Sequence, residues 1–122
     1  MKDLLIVGLG GFFGSIARYG VSLLNSSFYP DKYYQSTLIV NLAGSLILGI
    51  IAGALIRSNN QTVLFLTVGF CGGFTTFSTF ALDAVKLLKS GMYYAFTTYL
   101  ALSVFGGLLL CVLGFWLSHK PQ

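Results

Sequence analysis

The stretch GFCGGFTTFSTFALD, from Gly69 to Asp83, gathers three glycines, four phenylalanines, three threonines and a serine, and ends on an aspartate. Phe77 and Phe80 are three apart and share a helix face, with Thr76 and Thr79 beside them. An aromatic ring has a negative face and a positive edge, so ring edges together with hydroxyl donors can solvate a small anion without any full positive charge. A lysine or arginine in the same place would hold the anion too tightly, because passage needs binding strong enough to enter and weak enough to leave. The other fate open to both rings is packing in the core or against lipid. Just upstream, the pairs Gly72-Gly73 and Thr75-Thr76 all have low helix propensity. A break there would free backbone carbonyls, which are ready ligands for a small hard cation such as sodium. The alternative is a continuous helix with a Gly-Gly packing notch.

Further polar residues stand out in an apolar chain. Asn41 is the only amide within an expected span, and its NH2 group offers two donors; it either faces an ion or ties two helices together. Thr37 lies one turn earlier on the same face. Tyr99 and Ser103 are four apart and both offer O–H donors. Arg18 is the one full positive charge well inside a span; it either snorkels to the interface or draws anions into a vestibule. Asp83 is the one carboxylate well inside a span, and an i, i+3 salt bridge with Lys86 is its ordinary reading. His119 falls in a polar tail, and no catalytic constellation is present, so an enzyme is not expected.

These residues must be positioned by membrane helices. The chain has 122 residues, 56% hydrophobic and only 8% charged, with a mean hydropathy of +0.84. Soluble domains carry about 25% charged residues, and seven Lys/Arg with three aspartates and no glutamate cannot cover a water-exposed surface. The net charge of +4 does not indicate nucleic acid, because the basic residues are scattered singly. A span needs about 20 mostly apolar residues. Four are expected within a single membrane domain, at about 4–24, 36–56, 62–88 and 92–117. The first is read as a retained span and not a signal peptide. Small residues four apart recur in every span (Gly10 and Gly14, Gly49 and Gly53, Gly69 and Gly73, Ser103 and Gly107), as close helix packing requires. Cys71 and Cys111 read as small packing residues.

Topology is left almost undirected. With four spans, Lys2, Arg57 and Lys120 fall on one side, and Lys32, Lys86 and Lys89 on the other, with Arg18 toward the latter. Orientation follows an excess of Lys/Arg in cytoplasmic loops, and here there is a near tie. Either a partner decides, or the protein inserts both ways, as an antiparallel dimer of identical chains would. Side chains fill the middle of a four-helix bundle, so a substrate path forms more easily between subunits.

The stretch GFCGGFTTFSTF resembles the signature of the Fluc, or CrcB, family of fluoride channels. GGFFGSIARYG is similar to that family's Gly-rich opening, and TLIVNLAGS to its Asn-containing segment; the resemblance covers essentially the whole chain. It implies an all-α protein of four transmembrane helices with a broken third helix, forming an antiparallel, dual-topology homodimer in the cell membrane. It implies two passive fluoride pores between the subunits, relieving fluoride toxicity. Carried over by motif position, the pores are lined by Phe77 and Phe80, with Asn41 facing them and Tyr99 and Ser103 in a polar track; Thr37, Thr76 and Thr79 flank that path and Arg18 its vestibule. A structural sodium ion is implied at the dimer centre, held by the backbone carbonyls of Gly72 and Thr75. In one departure, Gly107 stands where the family can place a further hydroxyl one turn past Ser103. The competing reading is a small multidrug or guanidinium exporter coupled to protons. Such proteins need a glutamate in the first span, and this chain has none.

Overall fold

The computed structural model describes residues 1–55, 57–58 and 60–121. Helix α1 spans Lys2–Phe28 and α2 spans Tyr34–Leu55; Ile56, the expected end of the second span, lies outside the described residues. The third segment begins as α3, Gln61–Leu64, winds as a π-helix through Phe65–Cys71, and closes as α4, Gly72–Phe74. Helix α5 then runs Phe77–Lys89. The fourth segment is α6, Tyr93–Ala101, a π-helical stretch Leu102–Gly106, and α7, Gly107–Ser118. Four helical stretches, Lys2–Phe28, Tyr34–Leu55, Gln61–Lys89 and Tyr93–Ser118, are long and apolar enough to cross a membrane.

Local chemistry sets the turns. The Asn25 side chain donates from Nδ2 to the Lys32 carbonyl at 3.0 Å, folding the Pro30 connection back on α1. Asn25 belongs to α1 and is buried. Asn41 is therefore not the only amide in a membrane helix: α1 continues past the expected boundary because Asn25 closes the turn that follows. Asn60 caps α3 by accepting from the Val63 N–H at 2.9 Å. Gly91 takes φ +73, with its N–H on the Leu88 carbonyl and the Met92 N–H on the Leu87 carbonyl. That pair of bonds is a Schellman closure, in which a left-handed glycine ends α5 and starts the hairpin to α6.

The spaced glycines pack as the sequence predicts for most of the chain. A Cβ on Gly114 would lie 2.6 Å from the Leu46 carbonyl oxygen, and those on Gly49 and Gly53 would strike the backbone at Cys111 and Phe115, so α2 and α7 touch backbone to backbone. Gly10 and Gly14 do the same for α1 against the third segment. Without a hydrophobic drive between helices in lipid, such close approach is what holds spans together. The buried cluster is small: Phe80, Ala84, Leu87 and Tyr99, flanked by Tyr34, Leu38, Ala95, Phe96 and Leu100. Phe105, Leu109, Trp116, Leu117 and many other large apolar side chains face outward, as a lipid-facing surface requires.

Candidate functional site

The site is organised around two residues that leave the helix. Thr75 has φ −90 and ψ 158, and Thr76 has φ −152 and ψ 120. Both are extended, and helical dihedrals resume at Phe77. Asn41 holds this stretch with both ends of its amide. Its Nδ2 donates to the Thr76 carbonyl at 3.0 Å, and its Oδ1 accepts from the Thr76 N–H at 2.8 Å. Thr76 in turn caps α5, its Oγ1 accepting from the Thr79 N–H at 3.2 Å.

These bonds have a consequence for the carbonyls. In a continuous helix the Gly72 carbonyl would accept from the N–H of Thr76, and the Thr75 carbonyl from that of Thr79. Both of those N–H groups are engaged elsewhere, by Asn41 and by the Thr76 hydroxyl. The neighbouring Gly73 carbonyl accepts instead from Arg18 Nε at 3.0 Å. The two glycines of the pair also differ. A Cβ on Gly73 would lie 2.6 Å from the Gly11 carbonyl oxygen, whereas one on Gly72 would meet nothing nearer than the Thr67 carbonyl at 4.0 Å. Gly73 is thus a packing glycine, and Gly72 faces open space. Gly72 and Thr75 line a groove of about 310 Å³ with Asn41, Gly44, Thr76 and Phe77.

Thr76 also lines a second cavity, of about 200 Å³, with Arg18, Thr37, Thr79, Asp83 and Lys86 among its walls. Asp83 is 5% exposed. Its Oδ2 accepts from Thr37 Oγ1 at 2.8 Å and from the Tyr99 hydroxyl at 3.3 Å. The i, i+3 pairing with Lys86 is not what forms: Lys86 Nζ lies 5.4 Å from the centre of the Tyr33 ring. The phenol of Tyr33, in the connection before α2, has its pKa raised, by burial first, then by the charge of Asp83, then by Tyr34. It therefore stays neutral around pH 7.

The two phenylalanines part company. Phe77 is 80% exposed and Phe80 only 8%. Their ring centres are 5.7 Å apart, and Phe80 lies 5.2 Å from Tyr99. Phe80 is a core residue of the chain, while Phe77 stands at the open groove. Ser103 lines neither cavity, and its Oγ is buried without a hydrogen-bond partner among the described residues. It falls within the π-helical stretch Leu102–Gly106; single π turns are frequent at functional sites. Sequence reasoning missed Ser45, which lies one turn past Asn41 on the face begun by Thr37. Its Oγ is 3.5 Å from where a Gly107 Cβ would be, and it donates to the Asn41 carbonyl at 2.7 Å. The Thr37, Asn41, Ser45 spacing was the available signal. Among the described residues no cluster of His, Cys, Asp or Glu could hold a metal ion.

Spanning helices packed through glycine, with hydroxyls and an amide gathered beside two extended residues, define a multi-pass membrane protein with a polar track in its interior. The family model described as CrcB-like protein, Camphor Resistance (CrcB), matches residues 5–115. A relative from Phocaeicola vulgatus, named fluoride-specific ion channel FluC, is 44% identical over 124 residues, covering 98% of this chain and all 100% of the relative. The FluC 1 channel of Carboxydothermus hydrogenoformans is 37% identical over 119 residues, covering 98% of this chain and 95% of its own. A FluC channel of Bacteroides fragilis is 40% identical over 127 residues, with 98% of each chain covered. The chain belongs to the CrcB family.

Proposed function

We propose that this protein is a fluoride-selective channel that passes fluoride down its gradient and relieves fluoride toxicity in the cell whose membrane it spans. The observation that carries this reading is end-to-end similarity to relatives named fluoride-specific ion channels, at up to 44% identity. With the family shown, the proton-coupled exporter is set aside. The site chemistry agrees. The groove and cavity offer Asn41, Thr76 and Thr79 beside Phe77, with the Thr37 hydroxyl close by but donated to Asp83, and among the described residues the groove itself is lined without a charged side chain. Fluoride is the smallest halide and the strongest hydrogen-bond acceptor, so such donors repay its dehydration better than that of chloride.

The working unit in this reading is an antiparallel homodimer. Phe77, exposed on the single chain, lines a pore against the second copy, and Phe80 supports it from behind. Tyr99 and Ser103 continue the track, the Ser103 hydroxyl being a donor without a partner among the described residues. Ser45 places a hydroxyl oxygen beside Gly107, with its hydrogen on the Asn41 carbonyl. Arg18 stands at the vestibule, where its Nε is fixed on the Gly73 carbonyl. A sodium ion at the dimer centre fits the donor set: the carbonyls of Gly72 and Thr75 have lost their helical N–H donors, and Gly72 opens onto the groove. Such an ion would supply fixed positive charge that joins two third segments across the interface.

The test is anion flux from liposomes carrying the purified protein. Rapid fluoride efflux with little chloride efflux is expected. Equal rates for the two anions, or no fluoride flux, would overturn the reading.

A further inference from the structure

The charges around the 200 Å³ cavity are arranged unequally. Two cations, Arg18 and Lys86, and one carboxyl, Asp83, line it, together with Ser22, Ser36 and Thr79. Asp83 and Lys86 stand three positions apart on α5, a spacing that ordinarily brings such a pair together. Here the carboxyl is turned inward and buried, and its Oδ2 takes the hydroxyls of Thr37 and Tyr99. Lys86 remains exposed on α5, with its ammonium over the Tyr33 ring. A ring face holds a cation in place without neutralising it, as a carboxylate would. Arg18 is likewise fixed by a neutral group, the Gly73 carbonyl.

We infer that Lys86, held by Tyr33, is an anion-capture residue at the entrance of this cavity, completing with Arg18 a site for a small hard anion ahead of the uncharged path. The inference rests on the channel reading and deepens it. Its logic is a division of labour. Full charges gather the anion where it is still hydrated, and hydroxyls and rings carry it where tight binding would stop it. With Lys86 the cavity wall has two formal positive charges against one negative; without it the two signs cancel. A cleft walled by low-dielectric helices focuses such a field and raises the local concentration and entry rate of the counter-ion. Tyr33 is a positioning residue, since it acts through the ammonium.

The experiment compares the full-length wild type with Lys86→Gln, Lys86→Arg and Tyr33→Leu in liposomes, at low and at saturating fluoride. For Lys86→Gln the rate at low fluoride is expected to fall about tenfold, with the saturating rate unchanged. Lys86→Arg restores the low-fluoride rate, because guanidinium also stacks on Tyr33, and Tyr33→Leu loses part of it. Raising ionic strength with an impermeant salt slows the wild type at low fluoride and affects Lys86→Gln much less. An unchanged low-fluoride rate in Lys86→Gln overturns the inference. So does a parallel fall at both concentrations, which marks a structural role. A wild type that passes no fluoride at any concentration is a different failure, of the channel reading itself, and is seen in the absolute flux instead of the ratio.

Discussion

Phe77 and Phe80 look alike in the sequence but have different surroundings. Phe80 is enclosed with Ala84, Leu87 and Tyr99, while Phe77 is open on the single chain. Replacing either with isoleucine therefore tests different things. Phe77→Ile is expected to leave thermal stability unchanged and to slow fluoride flux on the order of a hundredfold, which corresponds to losing about 3 kcal/mol at the barrier. Phe80→Ile is expected to lose flux and also about 1–3 kcal/mol of stability, because a planar core ring is exchanged for a branched side chain. Phe65→Ile, near Phe13 and away from the cavities, is the control and should conduct normally. Flux retained in Phe77→Ile would return that ring to a packing role. The measurements are liposome flux and thermal unfolding in detergent.

At the level of the elements, the third segment depends on Asn41 in α2. Its amide satisfies both the N–H and the C=O of Thr76. Removing it leaves two backbone groups without partners, at about 1–3 kcal/mol each. Asn41→Ala is thus expected to unfold at a clearly lower temperature than the wild type and to lose flux. A variant as stable as the wild type would show that water or another group takes over. The adjacent glycines give a second contrast. Gly73→Ala drives a methyl into the backbone of Gly11 and should destabilise the packing of α1 against the third segment. In Gly72→Ala the methyl enters open groove, so the chain should fold. If the groove faces a second copy and a sodium ion, the same variant should fail in dimerisation, read by size-exclusion chromatography with light scattering. A dimeric, sodium-binding Gly72→Ala would separate the groove from the interface.

For the whole molecule, the near tie of basic residues bears on insertion. Lys2, Arg57 and Lys120 oppose Lys32, Lys86 and Lys89, and orientation responds to the difference in Lys/Arg between sides. A tag appended after Gln122 should be reachable from both sides of the membrane in comparable amounts; Gln122 itself lies outside the described residues. Adding two lysines to the connection at Asp31 should bias insertion toward one orientation and reduce the yield of dimer. Tags found on one side only in the wild type would sink the antiparallel assembly.

Composition and periodicity alone make this a helical membrane protein. Charge is too scarce for a water-facing surface, and four apolar runs of spanning length are separated by Pro30, by the polar run at 57–61 and by Gly91. These are properties of composition and local propensity, which no partner can alter. The four-residue spacing of Gly10 with Gly14 and of Gly49 with Gly53 likewise announced its contacts, because a helix face follows from periodicity. The motif from Gly72 to Phe80 marked where helix propensity fails, but not which groups would compensate. That was decided by tertiary structure. Asn41 claims the Thr76 backbone across a separation of 35 residues, and Thr37 claims Asp83 across 46. The choice of Tyr33 over Asp83 for Lys86, the separation of Gly72 from Gly73, and the place of Ser45 beside Gly107 were also decided there. A hydrogen-bond donor has several acceptors within reach along its own helix, and only the packing of other helices settles which one it takes.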